Sequence, residues 1–583
     1  MSPNPPTESA DWRAAGRALV AKALGELAYE QLLAPEHRGA GWVFTLPDGP
    51  TYGFTARRTG FGGWHVDPAT VTRNGVPADD PVRLVLDARE LLGLDGATAA
   101  EVVRELIATH AADARIRATS RPVAELAELG YAELEQHLTG HPVLVLNKGR
   151  LGFTAADLDR YAPESRGTVR LRWYAAHRDS ASYAVVPGLD QGRLLAEELA
   201  PEVLALLQAR LAARVDRPAD YVWLPVHPYQ DDAVVRTLFA AQLADGRLVP
   251  LGEAPAEYRP VQSVRTLVGD GRDVKTPLLM RNTLVWRGLG TAATAAAPDV
   301  SAWLTQLHAG DAELRATGLG FLTEVASVVV RHEAYDALPD APYRYGELLG
   351  AVWRTPVVAL LRDGERARSM AALLHVDRDG RSLLVELVAR SGRSPQVWLE
   401  HLYEALLPGL LHCLIRHGVA FCPHGENTVL VFVDDTPVRA LVKDFAEDVT
   451  LLPGRDYPGL SARADAVLVR WPAAEMAHSI TSAVLAGHVR FLAPLVEEHL
   501  GLPEAQVWDI VRDVLLRWRA LHPEHEQAFD AFGLLAPEVE RIALNREHLT
   551  GGGFHDRPER DGAPDVVHGR VPNPVAAAQV PAC

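Results

Sequence analysis

Two apolar runs, Val429–Val433 and Val438–Val442, flank Asp434-Asp435-Thr436-Pro437 in a region where helical spacing otherwise dominates from about Tyr345 onward. A two-residue loop at Asp435-Thr436 would place Asn427 opposite Asp444, although Pro437 also allows a longer loop. Any nearby register keeps Lys443-Asp444 at the same end as His424-Gly425-Glu426-Asn427. One imidazole, two carboxylates and an amide thus gather in a cluster suited to phosphate and a divalent cation. Magnesium favours carboxylate and carbonyl oxygens, which Asn427 and Asp444 could supply. A polar strand end closing a turn accounts for the same residues equally well.

The chain has 583 residues, 48% of them hydrophobic, too many for one core. About two to four packed units are expected. The balance of 58 basic against 75 acidic side chains gives a net charge of −17, and no basic stripe interrupts it, so nucleic acid is excluded as an expected partner. Met1–Val20 lacks the pattern of a secretory leader, and no run reaches the roughly 18 to 20 apolar residues of a membrane span. The expected location is the cytoplasm. Three cysteines, Cys413, Cys422 and Cys583, build neither a disulfide framework nor an iron–sulfur pattern.

Helical spacing over Asp11–Leu33 is followed by hairpins over Gly41–Val66, with turns at Asp48-Gly49 and Gly60–Gly63. A helical stretch runs from about Asp87 to His137. The region from about Thr168 to Val330 mixes short strands with Gly/Asp turns and holds a helix from about Arg193 to Arg214. From Gly551 the chain collects Gly, Pro and charge without periodicity, so a poorly ordered tail is expected. These shifts suggest regions at 1–165, 166–344 and 345–550, followed by the tail at 551–583.

Val261–Leu267 reads as a strand with Ser263 and Arg265 on one face. Lys275, Arg281, Thr283 and Arg287 share parity, so an uninterrupted strand would line them along one face, with Pro277 warning of a break. Such cations need an anion or solvent, and a solvated surface would hold them as well. Gly269–Thr276 resembles a P-loop, but Val274 stands where its glycine belongs. In Gly140-His141-Pro142 through Phe153, the glycines allow close approach to a ligand, and Lys148 and Arg150 could clamp a carboxylate. His227, between prolines, reads as a buried histidine satisfied by a backbone carbonyl. His412 and His417 are not assigned to metal, nor are His522 and His525, which read as facing water near a helix start.

In this order, the clusters resemble the IucA/IucC family, the siderophore synthetases that work independently of nonribosomal peptide synthetases. The matching residues are Gly140-His141-Pro142 with Lys148–Phe153, His227-Pro228-Tyr229-Gln230, Ser263–Thr266, Lys275 with Thr283 and Arg287, His424–Asn427 and Lys443-Asp444-Phe445. The resemblance implies a cupped-hand α+β fold with thumb, fingers and palm, enclosing ATP and a polycarboxylate. It implies that a carboxyl of citrate, or of 2-oxoglutarate or a citrate monoamide, becomes an acyl-adenylate, from which an amine or alcohol displaces AMP. Ser263, Arg265, Thr266, Lys275, His424 and Asn427 would contact ATP, with Arg265, Lys275 and His424 serving catalysis. Asp444, with Asn427 and Glu426, would hold Mg²⁺. Arg287, with Thr283, His141, Lys148 and Arg150, would address the carboxylate. Family members often form dimers. A ferric-siderophore binding or reductase-like protein without ligase activity is the alternative. The family's second His-Pro is replaced by Leu144-Val145, Lys443 stands for an arginine and Tyr229 for a tryptophan.

Overall fold

The structure is a computed structural model that describes residues 10–47, 49–550 and 566–576. In the N-terminal region the helix Ala10–Tyr29 packs on Gly96–Ala118, burying Leu24, Val102 and Leu106 between them and a small sheet. Asp95 starts the second helix by accepting the Thr98 N–H at 2.8 Å, a short polar side chain capping an orphan donor. The expected hairpins form as Gly41–Thr45 with Thr51–Phe54 and Ala56–Arg58 with Trp64–Val66; Asp48, at the first turn, lies outside the described residues. The long helical stretch ends at Ala118 and continues only as short pieces, Val123–Leu126 and Tyr131–Glu135.

The middle region is built on an eight-stranded antiparallel sheet, ordered Tyr221–Val226, Val169–His177, Leu248–Pro260, Thr266–Val268, Asp273–Lys275, Gly350–Arg354, Glu324–Val330 and Ala181–Val185. The strand Gly350–Arg354 carries this sheet past residue 344 and brings Arg354 beside Asp273 and Lys275. The helix expected over 193–214 is two, Gln191–Glu198 and Pro201–Ala212, because Pro201 has no N–H to continue the first.

Two strand readings are corrected here. Val261–Arg265 is a tight turn, with Val264 at φ 66° and its N–H bonded to Val261 O at 2.8 Å, so Ser263 and Arg265 precede the strand at Thr266–Val268. The run from Lys275 to Arg287 is not one strand: it breaks at Thr276-Pro277, resumes as Leu278–Asn282, turns at Thr283 with φ 60°, and returns as Val285–Arg287. Parity therefore does not align its cations.

The C-terminal region wraps helices around a four-stranded sheet, ordered Gly320–Phe321, Thr436–Val442, Thr428–Val433 and Glu365–Ser369. The expected hairpin is present with its loop one residue earlier: Asp434 and Asp435 both take positive φ, 48° and 54°. That is the geometry of the two-residue turn whose twist matches its strands. A bulge at Val431/Phe432 then sets Thr428 opposite Val442, so Asn427 faces Lys443, whose N–H bonds Asn427 O at 3.2 Å, and Asp444 is not its partner. Part of the expected tail is ordered, since Val567–Pro572 pairs with Glu538–Ile542 and Val571 and Val575 enter the core; residues 551–565 and 577–583 lie outside the described residues.

One helical run, Ala473–Leu500, is long and apolar enough to cross a membrane by composition alone. It is a core element: 67% of its most apolar stretch is buried, including Ile480, Val484, Leu485 and Val489.

Candidate active site

Three elements from different parts of the chain converge on Asp444. The hairpin end supplies His424–Asn427 and Lys443-Asp444; the central sheet supplies Lys275 and Arg354; the turn at Ser263–Arg265 supplies Arg265. Asp444 takes a left-handed backbone, φ 63°, directly after the strand ends at Val442. Its Oδ1 lies 3.2 Å from Lys275 Nζ and 3.0 Å from Arg354 Nη1. Burial would raise this carboxyl, but Lys275, Arg354, Lys443 and Arg265 outweigh it and hold the group well below the usual carboxylate range. Glu447 Oε2 receives Arg265 Nη2 at 3.1 Å and Lys275 Nζ at 3.4 Å, while the other Arg265 nitrogen, Nη1, donates to Gly288 O.

Asp448 completes an anionic patch. Its Oδ2 accepts Asn427 Nδ2 at 2.8 Å, and burial, together with the charges of Asp444 and Glu447, pushes its pKa up to about 7. A carboxyl held protonated this high in a cluster of oxygen donors is one that a divalent cation would relieve. Asn427 and Asp448 are joined by a hydrogen bond and Asp444 acts on Asp448 through its charge, so these three offer oxygen donors of the kind magnesium favours. Glu426 fits less well, because its charge acts on His424, Glu135 and Tyr131 on the other side of the motif.

His424 and His141 are prepared in the same way. His424 Nδ1 accepts the backbone N–H groups of Glu426 at 3.2 Å and Asn427 at 3.4 Å; His141 Nδ1 accepts those of Val143 and Leu144, both at 3.2 Å. An imidazole that accepts at Nδ1 in its neutral form carries its proton on Nε2, as a donor. Burial lowers the pKa of both rings; it pushes His141 down to about 3 with help from His424, Lys22 and Arg287, and lowers His424 against the opposing charge of Glu426. Arg287 thus lies within electrostatic reach of both histidines, and its Nη2 is 2.8 Å from Thr283 Oγ1. Gly425 is needed for close packing: a Cβ there would come within 3.1 Å of Ala371, whose N–H bonds Gly425 O at 2.9 Å.

Two expected carboxylate ligands are engaged elsewhere. Arg150 makes a two-pronged buried pair with Glu164, one contact at 2.9 Å, and Lys148 donates to Asp113 at 2.8 Å, Asn147 Oδ1 at 2.7 Å and Thr139 O. Their order in the sequence is right, but their charges are consumed in holding the His141 loop. His227 is buried as expected, yet among the described residues its one side-chain hydrogen bond comes to Nδ1 from the backbone N–H of Tyr229 at 3.1 Å, and the expected carbonyl does not meet Nε2. His522 is likewise buried at a helix end and does not face water.

Sequence reading missed Arg354, Glu447 and Asp448. The last two carry a signal, an acidic pair just after Lys443-Asp444-Phe445; Arg354 carries none, since only sheet pairing brings it to Asp444.

The site thus gathers cations and carboxylates that neutralise one another between a sheet and a hairpin. The IucA / IucC family description matches residues 130–375, and that of the ferric iron reductase FhuF-like transporter matches residues 396–554. The rhizobactin siderophore biosynthesis protein RhbF of Rhizobium meliloti is 33% identical over 97% of this chain and 96% of its own length. The aerobactin synthase of Escherichia coli is 35% identical over 93% of this chain and 94% of its own. The structure of aerobactin synthetase IucC from Klebsiella pneumoniae superposes with a TM-score of 0.85 at 31% identity, covering 97% of this chain and 98% of that one. The chain belongs to the IucA/IucC family.

Proposed function

We propose that this protein is an ATP-dependent synthetase of siderophore assembly, which activates a carboxyl of citrate or a related polycarboxylate and joins it to an amine or alcohol. The observation that carries the reading is the sharing of Asp444 and Glu447 among Lys275, Arg354 and Arg265, a set of cations that can exchange carboxylate for phosphate without being left bare in a buried site. The reductase-like alternative finds no support in the cysteines, because three cannot supply the four ligands of an iron–sulfur cluster.

In the proposed first step, a substrate carboxylate oxygen attacks the α-phosphate, and pyrophosphate leaves as the acyl-adenylate forms. Arg265 and Lys275 stabilise the charge spread over the phosphate oxygens. His424 donates from Nε2 to the same anion as a neutral group, so its role does not require imidazolium. Arg287, with Thr283 and the Nε2–H of His141, orients the carboxylate. A magnesium ion held by Asp444, Asn427 and Asp448 would supply Lewis-acid neutralisation of the phosphates. In the second step the amine or alcohol displaces AMP, and orientation of the nucleophile is the main requirement.

The reading is tested by trapping the activated acid with hydroxylamine in the presence of ATP, magnesium and a panel of di- and tricarboxylates. Citrate is expected to give hydroxamate and pyrophosphate, with 2-oxoglutarate and citrate monoamides as the other acids to compare. A folded protein that yields hydroxamate with no acid ends the proposal.

A further inference from the structure

Away from the nucleotide site, three imidazoles and two carboxylates meet where three helices end. Asp311, between the helices Thr291–Gly310 and Ala312–Ala316, receives His412 Nε2 at 2.9 Å and His417 Nε2 at 2.8 Å on the same oxygen, Oδ2. Glu313 lies two residues on, 3.1 Å from His522 Nδ1, and Glu313, His412 and His522 also have ligand atoms within 4.8 Å of one another.

The helix Pro395–Leu411 makes this meeting possible by changing register. Residues His412–His417 form a π-helix, in which residues five apart stack on one face; in an α-helix they would diverge by about 140°. Such bulges often occur at functional sites.

We propose that Asp311, His412 and His417 form a binding site for a divalent transition metal of the zinc class, with Glu313 and His522 able to complete its shell. Imidazole with carboxylate is a donor set for such ions. Tetrahedral zinc with bonds near 2.0–2.1 Å separates its ligand atoms by about 3.3 Å, so the present 2.8 and 2.9 Å need only a small expansion to admit the ion. His412 is fully buried and presents Nε2 to Asp311, so this ligand atom is already held in place. An open cavity of about 700 Å³, lined by Asp311, Glu313 and His417, gives an ion access. Arg416 is the competitor, 3.5 Å from Asp311 and 2.6 Å from Glu313.

The experiment uses the full-length protein, stripped with a chelator and titrated with Zn²⁺ against a competing dye in excess magnesium, with Co²⁺ as a spectroscopic substitute. One zinc per chain and a visible cobalt band of tetrahedral type are expected. Because His412 is buried and its loss threatens folding, the diagnostic variant is His417→Gln, which keeps a donor to Asp311 while removing a metal ligand. It should weaken zinc binding by roughly tenfold or more and alter the cobalt band. Arg416→Ala should tighten binding. Absence of zinc binding to the wild type, or equal affinity in His417→Gln, overturns the site.

Discussion

Arg150 and Arg265 are both buried guanidiniums paired with a glutamate, yet Arg150 meets Glu164 in a closed pair while Arg265 meets Glu447 in a shared one. The side chains of Arg150 and Glu164 keep 2% and 4% exposure, and both carboxylate oxygens are taken by the two terminal guanidinium nitrogens. Glu447 and Asp444 keep 21% and 16%, and each serves two cations from separate elements. A closed pair is structural: nothing can enter without breaking it. A shared set can lose one contact while Asp444 and Glu447 each keep a cation, as the proposed alternation between empty and anion-bound states would require.

The largest expected effect tests the closed side. Arg150→Ala leaves Glu164 buried and alone, which should cost about 3–5 kcal/mol of stability, read by chemical denaturation. Glu164→Leu combined with Arg150→Met should recover most of it. If Arg150→Ala instead abolishes hydroxamate formation with stability unchanged, the contrast collapses.

Next comes the shared side. Arg265→Ala should lower ATP-dependent adenylation by about 10²–10³-fold with a melting temperature close to wild type. A Tm loss matching that of Arg150→Ala would make Arg265 another structural arginine.

Asp448 sharpens the comparison through pH. Its folded pKa is about 7, whereas an unfolded aspartate titrates near about 3.9. Between those values the folded protein holds a proton that the unfolded chain has released, so in metal-free buffer this group lowers stability as pH rises, by at most about 1.4 kcal/mol per unit. Asp448→Asn should flatten that slope. The magnesium concentration needed for half-maximal activity should rise as pH falls below 7 in the wild type.

The smallest effect is expected from Lys443→Arg. Lys443 is buried with Nζ 3.4 Å from Tyr131 OH and acts on Asp444 only at a distance. Activity should stay within about threefold, since the charge is kept and no two-pronged contact is there to be gained.

The order of motifs along the chain was legible because each is a local pattern of glycines, histidines and cations. The hairpin was legible too, since two apolar runs around a turn have few other solutions. Its register was not. The turn at Asp434-Asp435 depends on two aspartates accepting positive φ, and the bulge at Val431/Phe432 has no local signature. What Lys148 and Arg150 do was hidden for another reason: a cation's sequence neighbours do not say which distant carboxylate it will find. The same limit concealed Arg354 and the meeting of His412, His417 and Asp311, where a change of helical register, invisible in composition, decides which side chains share a face.

Under the proposed function, the sharing around Asp444 and Glu447 also bears on how nucleotide affinity would respond to ionic strength. At a bare cationic site, an arriving phosphate releases mobile counterions, and affinity falls steeply as salt is added. Here the counterions are covalently part of the protein, so the arriving phosphate displaces carboxylates that stay behind. Little is released to bulk solution, and a shallow salt dependence follows, the thermodynamic mark of an ion exchanger whose resting ions are tethered.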